Sequence, residues 1–199
     1  MNMSREKAKE IIWKIFDFID GTEEYDEYND CILGHPAFYF FHSKEELIEK
    51  VDDFLDTKES FDKYDLYYFI NKMIKFLLKS YDSHTKLYMP KSEWLPIQFM
   101  FIDGKIFVIR ITKEMEDAKF GELIAINGVS IDKFIKDLDD ITCYSTKEYS
   151  QYIIQTSLNT PNVLRSLTCF DKSSSVVTYT VLKDSIKEDF AFNLEHIKD

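Results

Sequence analysis

Apolar residues recur at helical spacing along the first part of the chain and at strand spacing after it. Ala8, Ile11, Ile12, Ile15, Phe18 and Ile19 lie three or four apart, the period that gathers side chains on one helix face. Ser4 is placed to cap this helix and Gly21 to end it. Ser43-Lys44-Glu45-Glu46 is a capping box, and Leu47, Ile48, Val51, Phe54 and Leu55 behind it form a second apolar face. A third helix is predicted from about Asp65 to Ser80, with Leu66, Phe69, Ile70, Met73, Leu77 and Leu78 inward and Lys72, Lys75 and Lys79 toward water. The acidic stretch from Thr22 to Asp30 has no period and reads as a solvated loop; it lacks the glycine and spacing of a calcium loop.

From His84 the period shortens. Thr85 to Met89 is predicted as a short strand. Ile97 to Ile102 and Ile106 to Ile111 form a hairpin about Asp103-Gly104, a dipeptide that suits a tight turn. Leu123 to Ile126 is a further strand closed by Asn127-Gly128, and Ile131 to Leu138 a short helix. Ser145-Thr146-Lys147-Glu148 reads as another capping box, opening a helix to about Leu158, and Thr160-Pro161 starts a helical turn. Leu167 to Phe170 and Val176 to Leu182 are expected to pair across Asp171 to Ser175. The expected fold class is α+β: a helical N-terminal subdomain over 1–83, a small β module with flanking helices over 84–183, and a tail over 184–199.

Composition narrows the partners. The chain has 199 residues, 45% of them hydrophobic and 16% aromatic, enough to bury a core. Its 36 acidic and 25 basic residues leave a net charge of -11, which repels phosphate backbones and anionic lipid. Nucleic acid and membrane surfaces are therefore excluded as expected partners, and polypeptide is favoured. No apolar run has the length of a membrane span, and the charged start lacks the features of a leader, so a cytoplasmic setting is expected. The three cysteines, Cys31, Cys143 and Cys169, have no disulfide-framework or zinc-knuckle spacing. His35, His42 and His84 carry no metal signature, so neither metal nor cofactor is expected. Trp13 and Trp94 are read as core residues. No serine sits in a glycine-flanked elbow, and Ser173 to Ser175 read as an exposed turn.

Asp82-Ser83-His84-Thr85, at the junction of the two patterns, carries the most chemical information. Together with His35-Pro36, Leu95-Pro96-Ile97, Asp103-Gly104, Phe107-Val108 and the run from Gly121 through Asn127-Gly128 to Ile131, it resembles the front half of the tail-specific (C-terminal processing) serine peptidases. The resemblance covers roughly residues 30 to 170. It implies a helical region ending in Asp-x-His, a PDZ-like module that binds extended polypeptide, and a separate catalytic domain carrying the serine. By that resemblance His84 is the candidate general base of the branch that pairs serine with histidine and glutamate, and Asp82 is its orienter. Leu95, Pro96, Ile97, Gln98 and Phe99 are the candidate peptide-binding residues, beside an edge near the helix after Ser145. Asp82 and His84 also have a purely structural reading, capping a helix end and bracing the junction.

Two departures matter. The loop at Trp94-Leu95-Pro96-Ile97 lacks the glycines of a carboxylate-binding loop and includes a proline without an amide. The segment Glu114 to Phe120 is shorter than the usual approach to the glycine strand. The function expected from the resemblance is the non-catalytic front of a tail-specific endopeptidase, positioning polypeptide for a C-terminal catalytic domain beyond this sequence and inactive alone. The alternative is a free-standing peptide-binding or inhibitory protein.

Overall fold

The computed structural model describes residues 2–21, 38–79, 82, 84–89 and 94–194. Cys31, His35-Pro36 and the acidic stretch 22–30 lie outside the described residues, so the readings made on them are not addressed. The fold is α+β, a small antiparallel sheet with flanking helices.

Among the described residues, three helices form the N-terminal layer. After a two-residue strand β1 (Met3–Ser4), helix α1 (Arg5–Asp20) begins where the Ser4 side chain accepts from the Lys7 amide. It ends at Gly21, whose φ of 73° is the left-handed conformation of a glycine cap. Helix α2 (Lys44–Leu55) has the reciprocal Ser43–Glu46 capping box. Strand β2 (Ser60–Phe61) pairs with β1, and α3 spans Lys63–Leu78. Helix α3 starts earlier than expected because Asp62 accepts from the Tyr64 and Asp65 amides while Asp65 accepts from the Asp62 amide. Ile12, Phe16, Leu47, Val51, Ile70, Ile74 and Leu77 meet in one buried cluster.

The predicted strand Thr85 to Met89 does not form: residues 85–89 have no strand structure. A side chain holds them instead. Asn71, almost fully buried on α3, accepts from the Leu87 amide at 2.9 Å and donates to the Leu87 carbonyl at 3.1 Å. A carboxamide has the donor and acceptor of a peptide group, so Asn71 supplies what a neighbouring strand would.

The sheet follows, with β3 (Gln98–Ile102), β4 (Lys105–Arg110), β5 (Glu122–Ile126), β6 (Val129–Ser130), β7 (Val176–Lys183) and β8 (Ile186–Asn193). Its order is β3-β4-β5-β7-β8, with β6 added on β5. Asp103 and Gly104 have φ of 49° and 81°, the two positive values of a twist-matched hairpin turn. Helices α4 (Ile131–Ile141), α5 (Lys147–Ser157) and α6 (Pro161–Ser166) connect β6 to β7. The cap of α5 is Thr146, which accepts from the Tyr149 amide; the expected box from Ser145 does not form, because the residue three after the cap is Tyr149 and has no carboxylate to return the bond. A Cβ at Gly121 would meet Val181 Cγ1 at 2.2 Å, so glycine there permits the close approach of β5 to β7.

Three further expectations are corrected. Leu167 to Phe170 is a turn with Leu167 and Phe170 buried, not a strand, and β7 pairs instead with β8 along its whole length. Residues 186–193 therefore belong to the sheet rather than to a tail, and the partition at 183 falls inside a hairpin. The run Lys187-Glu188-Asp189 conceals this strand because it is an edge whose first half faces water. Trp94, expected in the core, is 73% exposed.

Candidate functional site

The Asp82 carboxylate organises the turn that carries His84. Its Oδ1 accepts from the His84 amide at 2.8 Å, and its Oδ2 accepts from the Thr85 amide at 3.0 Å and from the Thr85 hydroxyl. Burial pushes this carboxyl up, but hydrogen bonds from the Thr85 hydroxyl and from the His84 amide and ring outweigh it and hold it at about 2. Asp82 is therefore anionic at neutral pH.

His84 Nδ1 lies 3.2 Å from Asp82 Oδ1, while the side chain is 95% exposed. A carboxylate beside Nδ1 favours the proton on that nitrogen, leaving Nε2 as the lone-pair nitrogen of the neutral ring. This is the arrangement of an oriented base. The same turn borders a cavity of about 750 Å³ between α1 and α3, with Ile15, Phe18, Ile74 and Leu87 as its apolar lining and Lys14 and Lys86 as its charged lining. The Asn71 bonds to Leu87 fix the segment below the turn. Asp82 thus holds both the backbone of the turn and the His84 ring.

Among the described residues no serine hydroxyl is bonded to His84. The hydroxyls of Ser157, Ser166 and Ser174 donate to main-chain carbonyls, and that of Ser173 donates to Asp171. Ser4, Ser43 and Ser130 accept from helix amides. Burial raises the Cys143 thiol to about 11, and burial with the neighbouring Asp137 raises Cys169 to about 12, so neither is a thiolate at neutral pH. His42 is engaged elsewhere, stacked on Phe76 at 3.7 Å with its Nδ1 3.2 Å from Glu46. Among the described residues no group of three or more His, Cys, Asp or Glu side chains is arranged to hold a metal ion.

The second set of candidates, Leu95 to Phe99, lies apart from His84, at the start of β3 beside α5. Leu95, Ile97 and Phe99 are buried in the sheet core, and Phe99 packs on Tyr179 at 5.3 Å. The Leu95 amide donates to the Asn159 carbonyl at 2.8 Å and the Ile97 amide to the Leu95 carbonyl at 2.7 Å. Pro96 has no amide. The Asn159 side chain donates to the Ile97 carbonyl at 2.8 Å, and the Phe101 amide donates to Gln155 Oε1 at 3.0 Å. Tyr179 anchors the end of α5 by donating to the Leu158 carbonyl at 2.7 Å. Gln155 and Asn159 were not found from sequence. Gln155 lies inside the helix predicted to about Leu158 and Asn159 just beyond it, and neither position carries a signal of its own.

No protein-family model matches the chain, and no curated protein matches it. Among solved structures it is similar to the crystal structure of a serine-to-alanine mutant of CPAF, a tail-specific protease-like protein, at 12% identity with a TM-score of 0.56. The likeness covers 95% of this chain and 34% of that one, so the chain spans about a third of the length of the CPAF structure. At this identity the likeness is one of fold. Among the described residues no helix is long and apolar enough to cross a membrane.

Proposed function

We propose that this chain is the non-catalytic, substrate-positioning portion of a tail-specific serine endopeptidase. The observation that carries the reading is the turn at Asp82: an ionised carboxylate lies 3.2 Å from the Nδ1 of an imidazole whose side chain is 95% exposed. A base prepared in this way has a use where a nucleophile comes from elsewhere. The fold likeness to CPAF over most of this chain and a third of that one supports the same reading. The β3 edge beside α5 is the surface on which polypeptide would lie, its main chain pairing with the strand.

The purified chain should bind fluorescein-labelled casein weakly, with Kd on the order of micromolar or poorer, and should not hydrolyse it. His84→Ala should leave both the fold and that binding unchanged, because the ring supports neither. Hydrolysis of casein together with fluorophosphonate labelling of a serine in this chain would refute the non-catalytic assignment. Loss of casein binding in His84→Ala would move the binding surface to the Asp82 turn.

A further inference from the structure

The β3 edge has a hydrogen-bond pattern that specifies what it can pair with. Phe99 lies opposite Val108, and Val108 donates to the Gly121 carbonyl at 3.0 Å and accepts from the Phe120 amide at 2.7 Å on its other side. In an antiparallel pair a residue whose partner turns away has its own amide and carbonyl directed outward. Phe99 therefore offers both groups at the edge. The flanking outward groups, the Ile97 carbonyl and the Phe101 amide, are taken by the side chains of Asn159 and Gln155. Each is a carboxamide, chemically a peptide group, donating or accepting where an added strand would.

Among the described residues, Leu95 to Ile97 turn no free amide toward an anion at this edge. Carboxylate capture needs converging free amides. Here the Leu95 amide is bonded to Asn159, Pro96 has none, and the Ile97 amide is turned back onto Leu95. The Ile97 carbonyl fixes the Asn159 carboxamide with its nitrogen toward β3, and the buried Oδ1 has no donor.

We infer that the β3–α5 seam takes an internal, extended segment of unfolded polypeptide, which displaces the Gln155 carboxamide from the Phe101 amide, and that it does not read a free C-terminal carboxylate. The inference rests on the substrate-positioning reading and adds its substrate class. It also distinguishes this seam from a carboxylate-reading groove, because the groups that substitute for the ligand are neutral amides.

The test uses overlapping casein peptides on two membranes, one set anchored through the C-terminus and one inverted so that the carboxylate is free. The chain should bind the same sequences on both. Gln155→Ala, at a helix position where alanine is well tolerated, should bind about fivefold more tightly, since the peptide no longer competes with one hydrogen bond. The Phe99 and Phe101 amide resonances should shift when a binding peptide is added. Binding on the inverted set alone would overturn the inference while leaving the positioning reading intact. Equal binding with no change in Gln155→Ala and no shift at Phe99 would also overturn it, by placing the peptide elsewhere. Binding on neither set would overturn both.

Discussion

Asp82 has more to hold than any other residue at the candidate site, and its ionisation sets how the turn responds to acid. Its carboxyl, ordinarily near 3.8, is held at about 2 in the folded chain, where burial opposes but does not cancel the hydrogen bonds from Thr85 and His84. The folded state therefore binds this proton less readily than the unfolded state does. The stabilisation is complete above the ordinary value and is lost as pH falls toward the folded one. Asp82→Ala should lower stability at neutral pH by about 1 to 2 kcal/mol, the range for losing a capping carboxylate and its bonds. The gap between the two proteins should close as pH falls from about 4 to about 2. Thermal unfolding of both across that window measures it, and a gap that persists at its acid end would show that the stabilisation does not come from the charge.

At the scale of elements, the turns explain why the hairpins were found or missed. Asp103-Gly104 and Asn127-Gly128 combine a residue that tolerates positive φ with a glycine, and both are tight turns with positive φ at each residue. The β7–β8 turn is Asp184-Ser185, with φ of 50° and 67°, and serine is a poor occupant of that conformation. Replacing the pair by Asn-Gly should stabilise the protein by about 0.5 to 1 kcal/mol, seen as a higher denaturant midpoint at unchanged slope. A lower midpoint would mean that Ser185 makes a contribution its backbone does not reveal. The same contrast accounts for what was legible in the sequence. Helices α1, α2 and α4 and the β3–β4 hairpin followed from apolar spacing and turn chemistry, and the Asp82–His84 pairing from a motif. Strand β8 was obscured by its charged, water-facing half. The segment after His84 was misread as a strand because its partner is the Asn71 side chain, and no period can reveal a carboxamide acting as a neighbouring strand. Gln155 and Asn159 were missed for the same reason: what they do depends on a strand more than fifty residues away in sequence.

At the scale of the whole molecule, α3 belongs to both layers. One face lies in the cluster with α1 and α2. From the other, Tyr64 donates to Asn162 at 3.0 Å, Lys75 pairs with Asp139 at 3.3 Å, and Lys172 reaches back to Asp62 at 3.2 Å. Cys143, from the link between α4 and α5, is buried in the helical cluster. Ion pairs near the surface are each worth little, but α3 buries one face in the helical cluster and packs Tyr67 and Tyr68 against the sheet core, and this shared packing couples the layers. The protein should therefore unfold in one transition. Trp94→Phe removes the exposed indole and leaves Trp13, which packs against the helical cluster, as the sole tryptophan reporter. Its denaturant curve should coincide with the loss of the antiparallel-sheet infrared band, the criterion for two-state behaviour. Separate midpoints would mean that the helical layer opens by itself. A single transition would instead show that the His84 turn, tied through Asn71 to α3, and the β3 edge, beside α5, belong to one cooperative unit.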